Sequence, residues 1–143
     1  MIDVQGKCIR ENVMQVSEKL KKEKQDNIIE ELLREKAAVL ARAGMAVEEV
    51  IEKLMRVDRE IEIKISLLNS IDGNDGNLKL LRKKQLICEE INCNVKEFNS
   101  IRKKAQLQYY YLIVTREALG LRRHEMVQKM YRIPDKKEKM RAT

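Results

Sequence analysis

The chain carries a single proline, Pro134, so nothing in the 133 residues ahead of it removes a backbone N–H or clashes with a preceding helical turn. Helices in that stretch end only where glycine or loss of apolar periodicity ends them. The composition points the same way: there is no tryptophan and one phenylalanine, and 37% of the residues are charged. A β-sandwich or barrel needs β-branched and aromatic residues and frequent turns, so both are excluded. At 143 residues the chain has room for one domain, or one domain and a tail. The fold class these features predict is all-α: an elongated antiparallel three-helix bundle or coiled coil.

Four of the five glycines, Gly44, Gly73, Gly76 and Gly120, fall where apolar periodicity stops. They divide the chain into three predicted long helices. The first runs from about Lys7 to Ala43, with an early stripe of Ile9, Val13, Val16 and Leu20 at 4-3-4 spacing. A polar run, residues 21–27, follows before Ile28, Ile29, Leu32, Leu33, Val39 and Leu40 resume the pattern. Asp26 can N-cap a second helix there, so one helix or two in tandem is left open. Another helix, about Ala46 to Ser70, shows a heptad seam of Val47, Ile51, Leu54, Asp58, Ile61, Ile65 and Leu68. The last, about Leu78 to Leu119, carries Leu80, Ile87, Ile91, Phe98, Ile101, Ala105, Leu112 and Leu119. Residues 1–120 thus read as a three-helix antiparallel bundle. Residues 121–143 read as a short basic amphipathic helix, Arg122 to Tyr131, plus a flexible tail.

The formal net charge of +7 is unevenly spread. Residues 101–143 hold twelve Lys/Arg against four Asp/Glu, so the basic character belongs to the C-terminal third. The longest stretch without a charge, Ala105 to Thr115, is eleven residues, against the roughly 20 that a bilayer span requires. The start of the chain lacks the charged-then-apolar layout of a signal peptide. A cytoplasmic protein is expected. Cys8, Cys88 and Cys93 form no C-x-x-C pair and are expected to be reduced thiols.

Catalytic chemistry finds little support. There is no phosphate-binding glycine loop and no G-x-S-x-G, and with one histidine, His124, no zinc set can be assembled. Glu30, Glu31 and Glu35 have no Glu-x-x-His partners and read as a solvated face. The cluster from Asp72 to Asn77 reads as an interhelical turn. A calcium loop started at Asp72 places Asn77 where the sharp-turn glycine belongs and Lys83 where the bidentate glutamate belongs. No enzyme activity, metal or cofactor is expected.

Two segments stand out. Tyr109-Tyr-Tyr-Leu-Ile-Val114 lies between Arg102-Lys-Lys104 and Arg116. Three consecutive tyrosines spread over about 200° of a helix, so at least one phenol stays at a packing edge or in solvent. The second is Glu117-Ala-Leu-Gly-Leu121 followed by Val127, which resembles the turn and recognition helix of a helix-turn-helix. In that reading Leu121 and Val127 pack inward while Arg122, Arg123, Lys129 and Arg132 meet nucleic acid. A C-capping Gly120 followed by a short docking helix explains the same letters.

The run from Ile28 to Leu54 resembles the first helical hairpin of the flagellar export chaperones that guard hook-associated proteins, small bacterial proteins of three long helices. Ile91-Asn-Cys-Asn94 is similar to their paired asparagines. The likeness spans about residues 15–115, whereas the basic extension from Gly120 departs from it and the tyrosine cluster has no assigned counterpart. The resemblance implies a chaperone shielding an amphipathic terminus of a client, with no catalytic residue.

The expected function is therefore binding of a protein partner, through a client's amphipathic helix docked on uncovered apolar surface. The longest helix should lack intramolecular cover at its end, which makes Tyr109, Tyr110, Leu112, Ile113 and Leu119 the contact candidates. Nucleic-acid binding by the basic third and a structural coiled-coil homo-oligomer are the alternatives.

Overall fold

The computed structural model describes residues 3–71 and 77–141, with side chains for 9–71 and 77–141. Three helices make up the described chain: α1 (Asp3–Ser70), α2 (Leu78–Ala118) and α3 (Glu125–Met130). No strand occurs among the described residues. The turn cluster at residues 72–76 and the Cys8 side chain lie outside them; Asn77 lies inside, and its Oδ1 caps α2 by accepting the Lys79 N–H at 3.2 Å.

The all-α expectation holds, with one change in element count. The two helices predicted before and after Gly44 are one, because α1 continues unbroken through Asp26 and through Gly44. A mid-helix glycine costs only about 1 kcal/mol relative to alanine, and Gly44 stands between Ala43 and Met45-Ala46, all good helix formers.

The chain divides into two compact units, Met1–Val39 and Leu40–Thr143. The second is a helical hairpin. Val47 of α1 clusters with Leu112 of α2, while Lys64 pairs with Glu90 at 3.7 Å, so the helices run in opposite directions. The main core joins Leu54, Val57 and Ile61 to Ile87, Ile91, Val95 and Phe98. These residues recur at three- and four-residue intervals on both helices, which puts each set on one stripe. A smaller cluster, Val47, Leu112 and Val127, brings in α3.

The first unit consists of α1 alone. Its aliphatic side chains are exposed along their whole run: Ile9, Val13, Val16 and Leu20, then Ile28, Ile29, Leu32 and Leu33. The expectation that this stripe packs inside a three-helix bundle is therefore corrected.

Beyond α3 the chain is also ordered in a way the composition did not announce. Residues 131–141 form an extended strap rather than a loose tail, with Ile133, Pro134, Lys137 and Met140 half-buried. None of the described helices is long and apolar enough to cross a membrane.

Candidate protein-binding site

Helix α2 ends in a Schellman motif that sequence reading located correctly. Gly120 adopts φ 90°, its N–H donates to the Glu117 carbonyl at 3.0 Å, and the Leu121 N–H donates to the Arg116 carbonyl at 2.9 Å. A side chain at Gly120 would be strained at that φ, so glycine is what lets the chain turn back. It returns as an irregular stretch, residues 121–124, and then as α3, which is shorter at its start than the predicted Arg122–Tyr131 helix.

This return closes the end of α2. Val127 is buried against Leu112 and Val47, and Tyr109, Ile113 and Tyr131 pack around them. The five partner contacts expected from the sequence are thereby divided. Leu112 is a core residue, Tyr109, Ile113 and Leu119 are half-buried, and only Tyr110 is open, at 62% exposure. Tyr111, which was not singled out, is exposed beside it, their rings tilted at 53° with centroids 6.2 Å apart. The expected site rested on the last long helix outrunning its partners, whereas Val47 of α1 and Val127 of α3 together cover Leu112.

Polar contacts fasten the same corner. The Arg116 Nε–H donates to His124 Nδ1 at 3.3 Å, and its Nη2 donates to the Arg123 carbonyl at 2.9 Å. His124 Nε2 lies 3.2 Å from Glu117 Oε1. With Nδ1 accepting, Nε2 is the nitrogen that carries the proton toward Glu117. His124 thus occupies the N-cap position of α3, with no side-chain bond to the helix backbone.

Tyr131 pins α3 to α1 by donating its hydroxyl to Glu48 Oε1 at 2.9 Å. Burial raises the phenol above tyrosine's ordinary 10.0, and the Glu48 carboxylate, as acceptor and as neighbouring charge, raises it further. A raised value means the neutral phenol is the form the fold favours. Its contribution is complete below pH 10.0 and is lost as pH climbs through the raised value. Tyr131→Phe should therefore lower stability by about 0.5–1 kcal/mol at pH 8. The gap to the parent chain should close as pH climbs through the raised value, read as urea midpoints of the two proteins. A gap that widens with pH would contradict this arrangement.

The four candidate nucleic-acid residues, Arg122, Arg123, Lys129 and Arg132, are all exposed, and none makes a salt bridge to another described residue. They flank a helix of six residues, and of the two side chains expected to pack inward Val127 does so while Leu121 is exposed. No group of three or more His, Cys, Asp or Glu among the described residues could hold a metal ion.

The surface that sequence reading assigned to a core instead is the apolar face of the first unit. Ile9, Val13 and Val16 are 64%, 63% and 58% exposed. Their 4-3 spacing had placed them on one helical stripe; what spacing alone does not say is whether a stripe has an intramolecular partner. Asn92, named from sequence only beside Asn94, acts instead with Asn99, which sequence reading missed, and the two hold the strap by its backbone. Their seven-residue spacing beside the core stripe is the available signal. Comparisons with family models, with curated proteins and with solved structures find no match to this chain.

Proposed function

We propose that this chain is a non-enzymatic protein-binding module that docks an amphipathic helix of a partner protein on the apolar stripe Ile9, Val13, Val16 and Leu20 of α1. The observation that carries this reading is the exposure of these four side chains on one side of a helix that has no second described element in its unit. An exposed apolar stripe of this kind marks interaction sites; Ile28, Ile29, Leu32 and Leu33, also exposed, lie beyond the polar run on nearly the opposite side of the helix. Helical spacing of the anchors favours a helical occupant, in the helix-in-groove manner. The resemblance to export chaperones implies the same class of activity and a cytoplasmic setting.

The test is capture from source cells with the parent chain and with Val13→Asp, Leu20→Asp, followed by hydrogen exchange on the purified complex. The expected result is a partner lost by the variant and slowed amide exchange confined to residues 9–20. A partner retained by the variant, or a stable homodimer in sedimentation that occupies this face, overturns the proposal.

The exposure of Arg122, Arg123, Lys129 and Arg132 supports a second reading, nucleic-acid binding. Six phosphate contacts would make affinity fall roughly a thousandfold between about 50 and 200 mM salt. Absence of a mobility shift at the lower concentration dismisses it.

A further inference from the structure

The strap is held in an unusual manner for a chain terminus. No backbone–backbone hydrogen bond involves it past the Tyr131 N–H. Its backbone is met by side chains of α2. Asn99 Nδ2 donates to the Lys137 carbonyl at 2.9 Å, and the Lys137 N–H donates back to Asn99 Oδ1 at 3.0 Å. Asn92 does the same for Met140, at 3.2 and 2.8 Å. Arg102 Nε donates to the Pro134 carbonyl at 2.7 Å. Each carboxamide satisfies both backbone groups of one residue, as a neighbouring β-strand would.

The spacing selects for conformation. Asn92 and Asn99 are separated by about 10.5 Å of helix rise. Lys137 and Met140, three residues apart, span about 9–10 Å only if the chain is extended, against about 4.5 Å if it were helical. Of the half-buried positions 131, 133, 134, 137 and 140, all but 133 recur every third residue, the period of a polyproline-type strand.

Two side chains are read as well. The Lys137 ammonium pairs with Asp58 of α1 and stands 4.9 Å from the centre of the Phe98 ring. Met140 packs against the main core cluster. The described strap itself contributes no fully buried residue, Val127 being the last one among the described residues.

We propose that the seam between α1 and α2 in the second unit is a peptide-binding site, and that the strap is its tethered ligand. The partner it fits is an extended segment carrying lysine and, three residues later, a long unbranched apolar side chain. Asn92 and Asn99 read its backbone, Asp58 and Phe98 its cation. Such a segment binds by displacing the strap, whose tether gives it an effective concentration on the order of 1 mM.

The experiment uses the full chain and a dye-labelled peptide of residues 131–143, with binding read by anisotropy. The variant Lys137→Glu, Met140→Asp releases the strap and should bind the peptide at least tenfold more tightly than the parent chain. Adding Asn92→Ala and Asn99→Ala should abolish that gain, and a peptide with Lys137→Ala and Met140→Ser should not bind. A released variant of unchanged helix content that binds no more tightly than the parent, or that binds both peptides alike, overturns the proposal. So does a concentration-dependent dimer in which the strap of one copy fills the seam of another. Should the released variant lose helix, the parent chain decides. Excess unlabelled peptide at about 5 mM should speed exchange of the Lys137 and Met140 amides several-fold, and unchanged exchange overturns the proposal.

Discussion

Replacing Phe98 with alanine should lower the unfolding free energy by about 3–5 kcal/mol, the range for emptying an aromatic site in a packed core. Phe98 is the largest of the fully buried side chains and belongs to the cluster that joins α1 to α2. Truncation removes both its burial and the contacts of the surrounding aliphatic groups, which helices this long cannot collapse to recover. The Lys137 ammonium also loses the ring it faces, a further loss of about 0.5–1 kcal/mol. The measurement is urea unfolding of the parent and Phe98→Ala proteins. A difference below about 1 kcal/mol would mean that the hairpin is not packed around this ring.

The second large effect is a contrast on a single helix. Val47→Asp places a carboxylate where the parent side chain is 0% exposed, against Leu112 and Val127. An unpaired buried charge costs about 4 kcal/mol or more even after it takes up a proton. The second cluster should then open and release α3. Val13→Asp makes the same chemical change at a site that is mostly in solvent, and should alter stability by no more than about 0.5 kcal/mol. Thermal melts of the two variants, followed by circular dichroism, check both at once. Equal losses would show that the face of the first unit is as buried as the second cluster.

Where apolar periodicity was matched by an antiparallel partner, sequence reading located the core residue by residue. Val47, Leu54 and Ile61 on one side, and Ile87, Ile91, Phe98, Ala105 and Leu112 on the other, were named from spacing and are buried. It failed at Gly44, because a single glycine weakens a helix without removing a hydrogen bond, and the loss is outweighed by good helix formers on both sides. Leu112 was offered as a binding residue because the last long helix was expected to outrun its partners; the short docking helix after Gly120 was the alternative, and Val127 of that helix, with Val47, covers Leu112. Asp58 was the overlooked clue. A carboxylate in an otherwise apolar seam requires a cation, and the cation is Lys137, 79 positions away. The strap itself was hidden because its contacts are between its backbone and asparagine side chains, which composition does not register. In the first unit the stripe was legible, but whether it is covered is a property of the rest of the chain.

The continuity of α1 from an unaccompanied stretch into a packed hairpin has a consequence for how that stretch meets anything else. A free peptide must first assemble an initial helical turn, a step with a statistical weight near 10⁻³, or roughly 4 kcal/mol. Here the hairpin supplies that turn permanently, because the helix is already templated at residue 40 and has only to propagate toward the N-terminus. An arriving partner meets a surface whose coil-to-helix seeding was completed when the hairpin folded.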